Sequence, residues 1–289
     1  MNYANLFSKF TDKSPRNKWL GVVRAENNYL YATDMENWIM TKSEKEIEDG
    51  VYADVDFRIL SKFTKNDCPV FPQYTDEDFI GRFTPSTLAR VKDVISQLAK
   101  IVDAKTFVSV LQGFYFDAER NKIAGSDSLT MGAFDVNLDL SESFIMYKSW
   151  MYALYAHSGE VLVYKNDGHI FFVSEETTTI TSYIIWNYPD YDNNRVFPDD
   201  MSKMHAFNLW IPLELAKRFK TPLIHFKKWY QSIGDYVVET DQPDIAISVK
   251  NAKIVNGKEV AYDLKKWIMV FSGDNFKIAI KLIDLDLKK

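Results

Sequence analysis

Alternating apolar and polar residues predict two antiparallel strands near the centre of the chain, over residues 107–131. In the first part of this stretch, valines and phenylalanines alternate with smaller or polar residues, which places one face of a strand on a core. The alternating apolar residues are Val108, Val110, Phe114 and Phe116. The polar residues 119–122 predict a turn, and a second strand is expected over 122–131.

Residues 19–34 repeat this strand–turn–strand pattern, with the polar turn at Asn27 and Asn28. In both stretches a strand containing Leu and Gly is followed, after the turn, by a strand that closes in Thr or Ser and then Asp. The closing residues are Asp34 and Asp127. Because internal repetition sets the architecture of a chain, we expect one structural unit to occur more than once.

Helical periodicity predicts a helix over residues 84–102. Thr84 is a suitable N-cap, and Pro85 suits the first helical position. The apolar stripe comprises Leu88, Val91, Val94, Ile95, Leu98, Ile101 and Val102, and the opposite face carries Arg90, Lys92, Ser96, Gln97 and Lys100, with Asp93 as its one acid. Such a face suits either solvent or an anionic partner.

Shorter elements are predicted on both sides of this helix. The other expected helices lie at 3–10, within 51–63 after a short strand, within 144–156 after a strand, near 211–219 and near 225–233. The other expected strands lie at 133–140, 160–164, 169–174, 177–186, 235–249, 252–256, 266–271 and 276–283. Only about 20 residues separate the helix within 51–63 from the one at 84, too few for three further strands.

Bulk composition describes a globular protein. The 289 residues are 46% hydrophobic and 26% charged, with a net charge of -5. No apolar run reaches the roughly 18 residues of a membrane-spanning helix, and the N-terminal residues do not read as a signal peptide. Cys68 is the single cysteine, which suits a reducing compartment. We expect a cytoplasmic protein, or one in a host cytoplasm if the source is viral.

The residues offer little for catalysis. The histidines at 157, 169, 205 and 225 have no metal-ligand spacing, and no nucleotide-binding or nucleophile motif occurs. The acidic pairs are Asp34 with Glu36, Asp190 with Asp192, and Asp199 with Asp200. A two-metal nuclease would need such acids to converge, whereas solvation explains acids in turns and linkers. We therefore expect no enzyme, no cofactor and no metal.

Three segments carry a resemblance to a known family. They are Ala32–Glu36, Gly125–Met131, and Asn187–Tyr191 followed by Arg195–Pro198. In this order they resemble motifs of the bacterial DNA polymerase III beta subunit, the sliding clamp. The chain is therefore identified as similar to a shortened, possibly phage-type, member of that family.

This resemblance implies an α+β fold of the DNA-clamp type, in which each half-domain is a helix with a curved antiparallel sheet. The expected domains are a truncated N-terminal clamp domain at 1–82, a complete central one at 83–200 and a divergent, partial C-terminal one at 201–289. At about 60–70 residues per half-domain, the chain holds four or five. Rings of this family contain twelve half-domains, so four per chain favours a homo-oligomeric ring of three subunits over the two-subunit ring of the bacterial proteins.

The resemblance also implies that the protein encircles duplex DNA as a processivity factor in replication. Lys and Arg on inward helices would attract phosphates without reading bases, and an acidic outer face would account for the negative total charge. The candidates are Arg16, Arg58, Lys62, Arg90, Lys92, Lys100, Lys217, Arg218, Lys220, Lys227 and Lys228. For each of them, an ordinary surface charge is the alternative.

Clamps bind short apolar peptides of a DNA polymerase and a clamp loader, a recurrent mode of recognition. The residues that match the family's pocket are Ser126, Ser128, Leu129, Thr130, Met131 and Pro198, and the alternative is that they simply end a core strand. Two other functions stay open: a clamp-fold binding or structural protein that does not encircle DNA, and a metal-dependent enzyme acting on nucleic acid.

Overall fold

The computed structural model describes residues 3–12, 20–54, 57–127 and 130–191, and beyond them the backbone of the strands between 205 and 281. The helices are α1 Tyr3–Phe7, α2 Pro85–Leu98 and α3 Tyr152–Tyr155. The strands are β1 Val23–Glu26, β2 Tyr29–Thr33, β3 Asn37–Lys42, β4 Gly50–Tyr52, β5 Phe79–Phe83, β6 Gly113–Asp117, β7 Lys122–Ser126, β8 Thr130–Asp135, β9 Asp139–Leu140, β10 Phe144–Tyr147, β11 Val161–Lys165, β12 His169–Val173, β13 Thr177–Ser182, β14 His205–Ala206, β15 Phe226–Ser232, β16 Asp235–Thr240, β17 Ala246–Ser248, β18 Ile254–Val255, β19 Glu259–Asp263, β20 Ile268–Gly273 and β21 Phe276–Lys281.

The chain divides into two compact units, each assembled from several segments. The first comprises residues 1–92, 118–120 and 137–185. Its antiparallel sheet has the strand order β4-β1-β2-β3-β13-β12-β11-β5-β9. Strand β3 pairs with β13 in register Ile39↔Thr179, so the first three strands of the chain and strands β11–β13 form one continuous surface.

Both faces of this sheet bury apolar side chains. On one face, Phe7 and Phe10 pack with Val23, Leu30 and Ile39. On the other face, a separate cluster contains Trp38, Tyr164, Phe171 and Ile180. Neighbouring residues of β3 belong to different clusters because successive side chains of a strand point to opposite faces.

The second unit comprises residues 93–117, 121–136 and 186–289. In it, strands β6, β7, β8, β21, β20, β19 and β14 follow one another in one sheet, and β15–β18 form another. Gly125 and Gly132 lie opposite each other on β7 and β8. A Cβ at Gly125 would lie 2.8 Å from Val102, and one at Gly132 would lie 2.9 Å from Leu98. The two glycines therefore let the chain at the end of α2 approach the sheet closely.

A three-stranded antiparallel meander recurs along the chain. Among the described strands it occurs as β1–β3, β6–β8, β11–β13, β15–β17 and β19–β21, and the first three copies follow α1, α2 and α3. Asp34 directly follows β2 and Asp127 directly follows β7, the second strand of each meander. The repeat expected from the sequence around these aspartates is confirmed.

The turn of the first hairpin is also as predicted, since Asn27 and Asn28 have φ of 51° and 64°. Asparagine tolerates this left-handed conformation, which suits the twist of a two-residue hairpin. The strands expected over 160–164, 169–174 and 177–186 are confirmed as β11, β12 and β13, although β13 ends at Ser182.

The structure corrects four expected elements. The strand predicted from 107 begins only at Gly113, because Ser109–Gln112 is a 3-10 turn that the Gln112 amide stabilises by donating to the Thr106 carbonyl at 2.7 Å. The strand expected over 122–131 is two strands, β7 and β8, and the strand expected over 133–140 is the end of β8 followed by β9. The helix at 84 ends at Leu98 rather than at 102.

The helix predicted within 51–63 is wrong for the residues described there. Asp54 accepts hydrogen bonds from the N–H groups of Arg58 and Ile59 through its side chain, and Phe57 has φ of 58°. A side chain that takes up the local N–H groups offers the backbone an alternative to a helix. Leu60 then bridges back to Tyr52 of β4, so the described residues of this segment form a loop that closes on the sheet.

The helix predicted near 225–233 is also wrong, since β15 occupies 226–232 and pairs with β16. Its aromatic residues favour a strand, and pairing with β16 outweighs the helical preference of its two lysines. The helix predicted near 211–219 lies outside the described residues.

Candidate nucleic-acid interface

Helix α2 positions three of the predicted DNA contacts. The helix begins where the Thr84 hydroxyl accepts a hydrogen bond from the Thr87 N–H at 3.2 Å. The buried residues of its stripe and of the turn that follows are Leu88, Val91, Val94, Ile95, Leu98, Ile101 and Val102, as predicted. With this stripe on the core, Arg90 is half-buried and Lys100 is exposed just beyond the helix end.

Lys92, the third of these residues, contacts the region of α3. Its ammonium donates to the carbonyl of His157 at 2.5 Å and lies 5.9 Å from the ring centre of Tyr155. The Tyr155 hydroxyl in turn donates to the carbonyl of Lys92 at 3.0 Å. Burial lowers the pKa of Lys92. Its ammonium therefore joins two elements of the fold, a role that the basic helix face did not reveal.

His157 is buried against the last strands of the same sheet. Its imidazole lies 2.9 Å from the Ser174 hydroxyl and 2.8 Å from the Thr179 hydroxyl. The Thr179 hydroxyl donates to the carbonyl of Ala153 and so accepts from His157 Nε2–H. The Ser174 hydroxyl has two acceptors within reach, His157 Nδ1 and the carbonyl of Thr177 at 3.1 Å, and its one hydrogen serves Nδ1 when the imidazole is neutral. Burial, with a smaller contribution from the charge of Lys92, lowers the pKa of His157 to about 3. The imidazole is therefore neutral and holds α3 on the sheet.

Arg58 and Lys62 lie in the loop that replaces the predicted helix, and both are exposed. The backbone N–H of Arg58 is bound to Asp54. The ammonium of Lys62 lies 5.5 Å from the ring centre of Phe63. The two residues thus project from a loop rather than from one face of a helix.

For the remaining predicted DNA contacts, the structure describes either the backbone alone or nothing. Lys227 and Lys228 are on strand β15, of which the backbone is described. The residues outside the described ranges are Arg16, Lys217, Arg218 and Lys220.

The predicted partner-peptide pocket is described only in part. Ser126 is buried at the end of β7 and Met131 is half-buried on β8. Thr130 opens β8, with its backbone alone described. Ser128, Leu129 and Pro198 lie outside the described residues.

The third motif of the resemblance is anchored by tyrosines. Tyr191 is buried, and its hydroxyl donates to the carboxylate of Asp117 at 2.8 Å. Tyr188 stacks on Tyr115 of β6 at 4.8 Å. Its own hydroxyl is buried without a hydrogen-bond partner among the described residues, and burial raises the pKa of Tyr188. The sequence did not indicate Asp117 and Tyr115 as partners of this motif; the alternation that places β6 on a core was the one available signal.

The predicted acidic pairs form no metal site within the described part of the chain, where no group of three His, Cys, Asp or Glu residues is arranged to hold an ion. Asp34 instead accepts hydrogen bonds from the N–H groups of Glu36 and Asn37 at 3.0 and 2.7 Å, which is the bonding of a turn. Asp192, Asp199 and Asp200 are not described. None of the described helices is long and apolar enough to cross a membrane.

No protein-family model and no curated protein sequence matches the chain. Solved structures do match it. The beta clamp of Helicobacter pylori bound to a DNA ligase peptide superposes with a TM-score of 0.66 at 14% identity, covering 98% of this chain and 97% of that one. A putative DNA polymerase III beta subunit from Eubacterium rectale gives 0.66 at 17% identity, covering 98% and 96%. The DNA polymerase III beta chain of Streptococcus pneumoniae gives 0.67 at 14% identity, covering 97% and 96%.

These superpositions extend over nearly the whole length of both chains. The resemblance to the DNA polymerase III beta subunits is confirmed at the level of the fold, and the predicted α+β, DNA-clamp class is confirmed with it.

Proposed function

We propose that this chain is a DNA sliding clamp, a processivity factor that encircles duplex DNA without reading its sequence and tethers replication proteins. The observation that carries the proposal is the correspondence of about 98% of the chain to bacterial clamps. Recurrence of one helix-and-meander unit within the chain supports it, since such repetition suits a protein that surrounds a duplex.

DNA would be held by many weak phosphate contacts, which allow sliding. Arg90 and Lys100, on and just after α2, are the described residues best suited to this role. Lys92 contributes mainly through its bond to His157. The other proposed contacts are Arg16, Arg58, Lys62, Lys217, Arg218, Lys220, Lys227 and Lys228.

Partner proteins would dock through short apolar peptides. The clamp of Helicobacter pylori holds a DNA ligase peptide, and we extend this mode of binding to a DNA polymerase and a clamp loader acting with the present chain. The proposed pocket residues are Ser126, Ser128, Leu129, Thr130, Met131 and Pro198. A clamp acts without catalysis or a cofactor, in the cytoplasm of a cell or of a viral host.

The domain boundaries are part of the proposal: 1–82, 83–200 and 201–289. A truncated first domain is supported by the segment between β4 and β5. Its described residues contain two short 3-10 turns, at Lys65–Asp67 and Asp76–Asp78, and no further helix or meander.

A topological assay tests encirclement. Protein is assembled at high concentration on nicked circular plasmid, separated from free protein by gel filtration at moderate salt, and the plasmid is then linearised. We expect retention on the circle and release after linearisation, because a sliding ring leaves through a free end. Equal retention on both forms would show binding without encirclement. No retention on either would favour the binding or structural protein of clamp fold.

A further inference from the structure

Strand β4 is the last strand at one end of the nine-stranded sheet. Along one side it pairs with β1, with Tyr52 opposite Val23 and Gly50 opposite Ala25. The other side of β4 has no neighbouring strand in this sheet. An edge of this kind is a template on which another chain can add a strand, because its outward N–H and C=O groups need partners.

Residues 57–61, which we call the edge cap, fold back onto this outer side of β4. The Ser61 N–H donates to the carbonyl of Val51 at 2.7 Å, and the Ala53 N–H donates to the carbonyl of Ile59 at 2.8 Å. Between these two bonds Leu60 forms an antiparallel bridge with Tyr52. These are the bonds that an added antiparallel strand would make, so the edge cap occupies the place of such a strand.

Two side chains hold the edge cap in place. The carboxylate of Asp54 accepts hydrogen bonds from the N–H groups of Arg58 at 3.1 Å and Ile59 at 2.7 Å. The ring of Phe57 meets the ring of Tyr52 edge-on at 5.7 Å. Phe57 has φ of 58°, a conformation unfavourable for a bulky residue. The backbone of the edge cap therefore opposes its own position, and the contacts of Asp54 and Phe57 must offset this strain.

Apolar burial contributes little at the far end of the edge cap. Ile59 is 60% exposed and Leu60 is 68% exposed. The side chain of Leu60 lies over Gly50, where a Cβ would come within 3.1 Å of Leu60 Cδ2. The two backbone bonds to the edge of β4, rather than the burial of these apolar side chains, therefore account for the position of the segment.

Strand β4 carries none of the other features that protect an edge. Proteins blunt edge strands with a lysine, a proline or a β-bulge, or they cover the edge with a loop. The sequence of β4 is Gly50-Val51-Tyr52, without a charged residue or a proline, and its register with β1 is continuous. Valine and tyrosine both favour strand pairing. The edge cap is therefore the feature that closes this edge.

We propose that the edge cap keeps β4 from pairing with β4 of a second copy of this chain. Two identical strands can pair antiparallel about a two-fold axis. Such a pair centred on Tyr52 would bond the Ala53 N–H to the Val51 carbonyl of the second copy. These are the two groups that the edge cap already binds, so the two pairings exclude each other. The proposal does not depend on whether the protein encircles DNA.

Two variants of the full chain should open the edge. Asp54→Ala removes the acceptor that holds the edge cap, and Ser61→Pro removes the N–H that binds Val51. Asp54→Asn is the matched control, because its side-chain carbonyl can still accept from the Ile59 N–H. At low protein concentration, amide hydrogen exchange at Ala53 should be about tenfold faster in the two opening variants and unchanged in Asp54→Asn. An Ala53 amide that stays slow in both opening variants would overturn the proposal, since these bonds would not be what closes the edge.

Light scattering at rising protein concentration measures the association itself. Each variant is compared with the unsubstituted chain at the same concentration, because the proposed ring is itself an oligomer. In Asp54→Ala and Ser61→Pro the mass should rise to about twice that of the unsubstituted chain, and exchange at Ala53 should become slow again as it does. Asp54→Asn should keep the original mass. Opening variants that keep the original mass would overturn the proposal. So would a doubled mass with fast exchange at Ala53, which would place the association on another surface.

Discussion

Two tyrosines close together in the chain differ in one hydrogen bond. The Tyr191 hydroxyl donates to Asp117, which is buried, whereas the Tyr188 hydroxyl is buried with no partner in the part of the chain that the structure describes. We expect Tyr191→Phe to lower the free energy of unfolding by about 1–3 kcal/mol, because it removes a donor from a buried carboxylate. Tyr188→Phe should be neutral or stabilising. Urea denaturation of the two variants measures both values, and equal losses would contradict the assigned bond.

His157 links the stability of the fold to pH. The folded pKa of about 3 lies below the ordinary value of 6.5. Between these values the unfolded chain binds a proton that the folded chain does not, so stability is complete above pH 6.5 and declines as the pH falls. From pH 6.5 to pH 5 the decline from this group is about 2 kcal/mol.

Replacing His157 by Gln should remove that decline, and urea denaturation at the two pH values measures it. His169→Gln is the matched control. His169 is half-buried beside Trp38, and burial lowers its pKa as well, so its removal should have a smaller effect. An unchanged pH dependence in His157→Gln would show that the imidazole is not held neutral.

The packing of the end of α2 and the turn after it on the sheet requires a glycine at position 125. A Cβ at Gly125 would come within 2.8 Å of Val102 Cγ2, and valine has little rotamer freedom to move aside. Gly125→Ala should therefore lower the free energy of unfolding by about 1–3 kcal/mol. Val102→Ala in the same chain should restore part of the loss, and additive losses in the double variant would contradict the contact.

The cations on and just after α2 should separate into residues that contact DNA and a residue that stabilises the fold. Arg90→Glu and Lys100→Glu should each reduce the salt dependence of duplex binding by about one unit of slope. Lys92→Met keeps the apolar stem but loses the bond to His157, so it should lower stability by about 1 kcal/mol. Fluorescence anisotropy across a salt series measures the slope, with exposed Lys45→Glu as the matched control. If Arg90→Glu and Lys100→Glu both gave the slope of Lys45→Glu, neither α2 nor the turn after it would belong to the interface.

The same elements show what sequence reasoning could reach. Helix α2 and the Asn27-Asn28 turn were predictable because their signals are local: a threonine cap, an apolar stripe, and residues that tolerate positive φ. The partner of Lys92 is His157, far along the chain, so no local pattern contains it. The helix prediction within 51–63 failed because the Asp54 side chain competes for the N–H groups of Arg58 and Ile59, which a helix would use.

At the scale of the whole molecule, the open quantity is the number of chains in the proposed ring. The sequence favoured three subunits because its length gave four or five half-domains. The described strands contain five meanders, and the chain corresponds to nearly the full length of bacterial clamp chains. These superpositions compare single chains, so three subunits stays the prediction. Light scattering should give three times the 33.6 kDa of the chain, whereas twice that mass would favour a ring of two subunits. A monomer at all concentrations would contradict a ring closed by several chains and would leave the fold and the contact between α2 and α3 unchanged.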